Sequence, residues 1–179
     1  MLIGGAGNDV LYAGTNGAKL TGGEGNDLFV LMDSAASGAT GSTPFVGNKQ
    51  VNTYSTIEDF QAGDVLQLLW NAASGSGAST TVQADAVVNS FVKLTATLDA
   101  GTSVFTDYVS AAMQQMAATT AGTGGDAVWF KIGNDSYVVV DNGVETTGAF
   151  VNGEDLIIKL TGVDLTSASF NTTYGTVTL

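Results

Sequence analysis

The sequence predicts a mainly β protein: a short flattened coil of parallel strands, followed by a β-rich α+β body. Three observations lead there. A six-residue phrase, GGAGND at 4–9, returns as GGEGND at 22–27, and the aspartates that close it, Asp9 and Asp27, lie 18 residues apart. Apolar runs with alternating pattern fill the last third and flank Gly-Asn-Asp and Gly162 turn signals. Only one stretch, 103–118, has a strongly helix-forming composition.

The first element is a nine-residue repeat. Aligning Gly4–Tyr12, Ala13–Thr21 and Gly22–Val30 gives GGAGNDVLY, AGTNGAKLT and GGEGNDLFV, with an apolar residue at the eighth place each time: Leu11, Leu20 and Phe29. Leu2 holds that place in a truncated earlier copy, so further copies are expected upstream. Residues 33–50 are small and polar, carry the only proline, Pro44, and read as a loop. Within YSTIEDFQAGDVLQLLW (54–70), a turn at Ala62-Gly63-Asp64 precedes an alternating strand around Val65, Gln67 and Leu69. SGSGASTT (74–81) reads as a flexible connector.

Residues 85–98 place apolar groups at 87, 88, 91, 94 and 98, a helical spacing carried on β-branched residues. SVFTDYVSAAMQQMAA (103–118) predicts a helix with a serine or threonine N-cap, ended by AGTGG at 121–125. Met113 and Met116 read as helix packing. AVWFKI and SYVVVD, on either side of Gly133-Asn134-Asp135, predict a hairpin. Trp129, Phe130 and Tyr137 read as alternating core residues in preference to a sugar-binding face. EDLIIKL, a Gly162 turn and short strands complete the chain. The expected organisation is 1–32, 33–81 as a capping segment and linker, and 82–179 as a β-rich domain with one or two helices.

Composition narrows the chemistry. The 179 residues hold 44% hydrophobic but only 12% charged residues, and the balance is 17 acidic against five lysines, with no arginine or histidine. Such a chain has little with which to neutralise nucleic-acid phosphates or grip an anionic membrane, and it favours cations. Without cysteine or histidine there is no disulfide, thiol nucleophile, imidazole base or nitrogen–sulfur zinc site. Metal chemistry here is oxygen chemistry, which selects hard cations such as calcium. No apolar run reaches the length of a membrane-spanning helix. MLIGGAGND has neither a basic n-region nor an apolar h-region, so it does not read as a Sec-type signal. There is no HExxH and no GxSxG, and no enzymatic activity is expected of this chain.

In GGxGxD the glycines admit positive φ and leave carbonyls unobstructed, and the aspartate adds a charged oxygen. If a loop plus strand fills nine residues, two units complete one turn of coil, and residues 18 apart stack. Asp9 and Asp27 are then neighbours, and two stacked carboxylates repel unless a cation lies between them. About six oxygens at roughly 2.3–2.6 Å make a calcium site.

These residues resemble the RTX calcium-binding repeat, GGxGxDxUx, and the coil then corresponds to a parallel β-roll, the RTX solenoid. The resemblance implies one calcium held by Gly5, Gly7 and Asp9 together with Gly22, Glu24 and Asp27. The intervening loop departs from the pattern at Asn16 and Ala18, which argues against a calcium there. Ile57-Glu58-Asp59-Phe60 with Gly63-Asp64 resembles the DF element that follows the last repeat in secreted RTX proteins. It implies a second site in which Asp59 acts with Gly23, Gly25 and Asp27, although Asp59 also reads as an ordinary turn carboxylate.

The resemblance further implies export by a bacterial type I secretion apparatus. DLIIKLTGVDLTSASFNTTYGTVTL is similar to the secretion-directing tails of such chains: acidic, apolar, hydroxyl-rich and free of proline. The leading expectation is the C-terminal calcium-binding, secretion-directing domain of a large secreted surface protein of S-layer or adhesin type. It folds on calcium outside the cell, in a lattice with other copies of itself. The alternatives are the RTX tail of a secreted metalloprotease or lipase, and an adhesin module that binds a ligand through residues 80–179.

Overall fold

The computed structural model describes residues 1–13, 17–32, 45–46, 49–50, 54–70, 86–120, 125–141, 148–150 and 155–179. The chain begins with β1 (Leu2–Ala6), β2 (Val10–Ala13), β3 (Lys19–Glu24) and β4 (Leu28–Met32). There follow β5 (Phe45–Val46), β6 (Lys49–Gln50), β7 (Ser55–Ile57), β8 (Val65–Trp70), β9 (Ala86–Val87) and β10 (Ser90–Lys93). The helix α1 (Phe105–Thr120) leads into β11 (Asp126–Ile132), β12 (Asp135–Asp141) and β13 (Leu156–Leu160). A 3-10 turn at Leu165–Ser167 precedes β14 (Ser169–Asn171) and β15 (Thr176–Thr178). The protein is mainly β, as its alternating patterns predict.

Two mixed sheets carry the architecture. A seven-stranded sheet runs β1-β3-β7-β13-β12-β11-β10, and a six-stranded sheet runs β14-β15-β8-β4-β2 with β9 paired to β8. In the repeat the pairing is parallel in both sheets and set by the period. Leu2 pairs with Leu20 and Gly5 with Gly23 in one sheet, and Val10 pairs with Leu28 and Leu11 with Phe29 in the other. A third rung follows on each side, where Leu20 meets Ile57 and Leu28 meets Val65. Register is fixed because one face of each strand is buried: a one-residue slip would turn Leu20 and Phe29, both fully buried, to solvent.

The inward faces of both sheets share one core, built from Leu11, Leu20, Phe29, Ile57, Leu66, Val138, Ile158 and Val177 among others. The seven-stranded sheet is buried on its second face too. There Val128, Phe130, Tyr137 and Val139 pack against Val109, Ala112, Met113 and Met116 of α1, a stripe at i, i+3, i+4 and i+7. The result is three layers: sheet, sheet, helix. Trp129, Phe130 and Tyr137 are core residues, and the two methionines pack the helix to the sheet, as expected.

The hairpin forms where Gly-Asn predicts it, with Ile132 opposite Asp135 and Gly133 at φ +63°. The helix start differs from expectation. The N–H of Val104 donates to Asp107 Oδ2 (2.8 Å), so a carboxylate three residues in, not a hydroxyl cap, satisfies the free amide. The helical spacing at 85–98 is overturned: the described part holds β9 and β10, the latter parallel to β11. Val92, in β10, is β-branched, which restricts χ1 in a helix and suits a pleated surface, and a partner strand supplies the backbone hydrogen bonds. The connector at 74–81 and most of the loop at 33–50 lie outside the described residues; within the latter, β5 pairs antiparallel with β6.

Candidate metal centre

Three six-residue turns stack at one side of the sheets: 4–9, 22–27 and 59–64. The first two begin within β1 and β3, the third follows β7, and each feeds a strand of the six-stranded sheet. Their last residues, Asp9, Asp27 and Asp64, form a ladder. The Asp9 N–H donates to Asp27 Oδ1 (2.9 Å), and the Asp27 N–H donates to Asp64 Oδ1 (2.9 Å). The fifth residues repeat the device, with the Asn26 N–H donating to Asn8 Oδ1 (3.0 Å). Each rung is tied to the next by a side chain that accepts a backbone proton.

The second carboxylate oxygens separate the rungs. Asp9 Oδ2 and Asp27 Oδ2 are buried, and neither has a hydrogen-bond partner in the protein. Each folds over the first residue of its own turn. A Cβ on Gly4 would lie 2.7 Å from Asp9 Oδ2 and 2.6 Å from the Gly22 carbonyl oxygen, and a Cβ on Gly22 would run into Asp27 Oδ2. Glycine stands at both positions because the carboxylate oxygen occupies the space a side chain would take. In the third turn the first residue is Asp59, and Asp64 Oδ2 instead accepts the Gln61 N–H (2.9 Å). Its ladder end is satisfied by protein alone.

Main-chain oxygens of each of the first two turns lie against the backbone of the other. The Gly5 carbonyl lies against the Gly23 Cα and the Gly7 carbonyl against the Gly25 Cα; Gly5, Gly7, Gly23 and Gly25 all have positive φ. At Gly23, with φ +104°, any Cβ would also strike the Gly5 carbonyl, so only glycine fits. From the other side the Gly22 carbonyl approaches Gly4, and the Glu24 carbonyl accepts the Gly7 N–H (2.7 Å). The residues of the first sequence-derived set, Gly5, Gly7, Asp9, Gly22, Glu24 and Asp27, all lie in the two stacked turns, with Gly5, Gly7 and Glu24 at the main-chain contact between them and the Asp27 side chain bonded to the Asp9 amide. Glu24 contributes main chain there, and its side chain is exposed.

The second set is arranged differently. Asp59 Oδ1 and Oδ2 accept the N–H groups of Gly22 and Gly23 (2.9 Å each), a pair of charge-assisted bonds. Gln61 Nε2 donates to the Gly23 carbonyl (3.3 Å). Between the second and third turns, amides and a glutamine thus engage the Asp59 carboxylate and the Gly23 carbonyl, whereas the Gly5 carbonyl, the counterpart of Gly23's, lies against the Gly23 backbone. Phe60, at the place of Gly23, is buried edge-on to Phe29 with centroids 6.0 Å apart.

Sequence reasoning placed Asp64 in a turn and in the DF element but not in the aspartate ladder, though it stands 37 residues after Asp27 and is as buried as Asp27. The signal was DFQAGD itself, an aspartate at the sixth place behind a glycine. It was masked because the spacing to the second phrase is 37 and not 18.

Among the described residues, no lysine compensates the charge at the ladder. The ion pairs formed among the described residues are Lys19–Glu58, Lys131–Asp164 and Lys159–Asp135, each at 2.7 Å, and none involves Asp9, Asp27 or Asp64. Among the described residues, no group of three acidic side chains gathers as a metal-holding cluster. The ladder offers two carboxylate oxygens and main-chain carbonyls. A donor set of that kind consists of hard, uncharged and singly charged oxygens, which suits calcium better than a transition metal. No protein-family model matches the chain, and no curated protein matches it.

Proposed function

We propose that the stacked turns at 4–9 and 22–27 are a calcium site, and that the parallel strands around them form a β-roll of RTX type. One observation carries the reading: Asp9 Oδ2 and Asp27 Oδ2 are buried and lack any partner in the protein. A buried, unpaired carboxylate is costly, and native proteins pair such groups or give them to a metal. Gly5, Gly7, Gly22 and Glu24 carbonyls with Asp9 and Asp27 would hold the ion. Calcium supplies there the positive charge that the ladder lacks. Asp59 binds amides of the second turn and acts as a cap on the stack.

Metal and fold are coupled on this reading, because the site exists only when both turns are stacked. Stabilisation follows RT ln(1 + [L]/Kd), so the protein is looser where calcium is scarce and sets where it is abundant. That behaviour suits a protein exported before it folds. With the resemblance of residues 155–179 to type I secretion tails, it supports the secretion-directing part of an extracellular bacterial surface protein.

Titration calorimetry with calcium, paired with melting in calcium, magnesium and chelator, tests the site. The expected result is heat of binding and a rise in melting temperature that magnesium does not reproduce. Equal melting in chelator and in excess calcium overturns it. An inert passenger fused ahead of residues 1–179 tests export separately: release by a type I apparatus is expected, and retention defeats the secretion role while leaving the metal site standing.

A further inference from the structure

A cavity of about 310 Å³ lies where the connection from β10 to α1, the first turn of α1 and the β11–β12 hairpin meet. Part of its lining is aromatic. Phe105 and Tyr108 stand at i and i+3 on one face of α1 and are only half-buried. Packing fixes both rings. Phe105 meets Tyr137 edge-on with centroids 5.0 Å apart, and Tyr108 lies 5.3 Å from Phe130. The lining is also kept open by small residues, Ala100, Ser103 and Gly133, and a Cβ on Gly133 would meet nothing within 4 Å. Asp99 holds the connection in shape: its side chain accepts the Gly101 N–H (2.8 Å), and its carbonyl accepts the Thr102 and Ser103 N–H groups (3.1 and 2.7 Å). The cavity is thus built into the fold, and its volume stands at the small end of those that ligand sites occupy.

We propose that this cavity binds one sugar residue, a neutral pyranose ring, with the rest of a glycan left in solvent. Charge argues against ionic ligands. Among the described residues, no aspartate or glutamate lines the cavity to hold a cation. Lys131, which does line it, gives its ammonium to Asp164 (2.7 Å), and a protein of net charge −12 repels anions. A pure hydrocarbon fits poorly as well, because Ser103 and Tyr108 bring hydroxyls that it cannot bond. The ligand that matches has an apolar face and a hydroxyl edge. The C–H face of a pyranose carries slight positive charge and suits the negative face of an aromatic ring, and its hydroxyls suit the polar part of the lining. Trp129 and Phe130 are core residues and take no part; the rings offered to the sugar come chiefly from α1. The site does not depend on the metal reading.

Saturation-transfer NMR on the whole chain in excess calcium tests this. The probes are the methyl glycosides of glucose, galactose, mannose and N-acetylglucosamine, with phenol and glucuronate for comparison. At least one methyl glycoside should bind with a Kd of about 1–10 mM, the saturation falling on its ring C–H protons. Ala100→Phe, at an exposed position, should fill the cavity and abolish binding while leaving circular dichroism unchanged. Tyr108→Ala should weaken binding about 3–10-fold. Tyr174→Ala, which removes an exposed ring elsewhere on the surface, should leave it intact. Binding of none of the four glycosides, binding unchanged in Ala100→Phe or Tyr108→Ala, binding lost in Tyr174→Ala, or tighter binding of phenol or glucuronate would each overturn the proposal. Absence of any calcium effect on melting would defeat the metal site alone.

Discussion

Replacing Asp27 by asparagine separates what the carboxylate does for the backbone from what it does for a cation. The side-chain oxygen that accepts the Asp9 N–H survives in Asp27→Asn, so the rung-to-rung bond is retained in neutral form. The negative charge on the buried, unpartnered Oδ2 is removed. Without calcium, the variant should melt at or above the temperature of the unmodified protein, because an uncompensated buried charge has gone. With calcium, the order should reverse. For a site of about 10⁻⁴–10⁻³ M affinity at about 10 mM calcium, the linkage relation gives roughly 1.4–2.7 kcal/mol. In a chain of this size that is a rise of about 3–11 °C. Asp27→Asn should lose most of that increment. Differential scanning calorimetry in chelator and in calcium measures both halves. If Asp27→Asn melts well below the unmodified protein in chelator, or keeps the full calcium increment, the assignment of Oδ2 to a cation is wrong.

Four further outcomes follow from the geometry. Gly22→Ala forces a Cβ against Asp27 Oδ2 and should cost about 1–3 kcal/mol by urea unfolding, together with a loss of calcium affinity by calorimetry. Phe29→Ala empties a fully buried position beside Phe60 and should cost about 3–5 kcal/mol in the same urea assay. The Lys159 ammonium, with the Gly162 amide, holds the Asp135 carboxyl below its ordinary value, so this pair stabilises the fold above the unfolded-state pKa of about 4 and the contribution disappears as pH falls through the folded value. Asp135→Asn should flatten that acid limb in melts run against pH while leaving the calcium increment intact. Burial, with Tyr54 alongside, pushes the Tyr137 hydroxyl up to about 12, so its stabilisation is complete below about pH 10 and is lost as pH rises through the folded value; ultraviolet titration should find one late tyrosine, absent in Tyr137→Phe.

Much of the fold is legible in the sequence because it is written locally. The 18-residue repeat fixes which strands pair, Gly133-Asn134 fixes a hairpin, and the spacing of Val109, Ala112, Met113 and Met116 fixes a helix face. What escapes is non-local. Nothing near Ser55–Ile57 announces that this strand will lie between β3 and β13, joining the repeat to the rest in one sheet. Asp64 escapes for the same reason, its partner being 37 residues away. The segment at 85–98 shows the converse error, in which a helical spacing is outweighed by β-branched side chains and a waiting strand. The tail read as a secretion signal also has a structural duty: Val177 is fully buried and β15 pairs with β8. Removing those strands would open the core, so export has to be tested with the chain whole.

The two kinds of link between rungs obey different rules. On the glycine–aspartate side, β1 reaches β2 and β3 reaches β4 across three residues each time, and the spacing is held by side chains that accept amides from the neighbouring turn. On the opposite side, β2 reaches β3 across residues 14–18, whereas β4 reaches β7 across 33–54, and both connections deliver the chain to the next rung in register. The third link on the glycine–aspartate flank, from β7 to β8, takes seven residues, so length is held close there and runs free on the other flank. The free flank is a natural graft point: an epitope, a binding loop or a whole inserted domain placed between Met32 and Ser55 would ride on the scaffold without disturbing the aspartates that hold it in order.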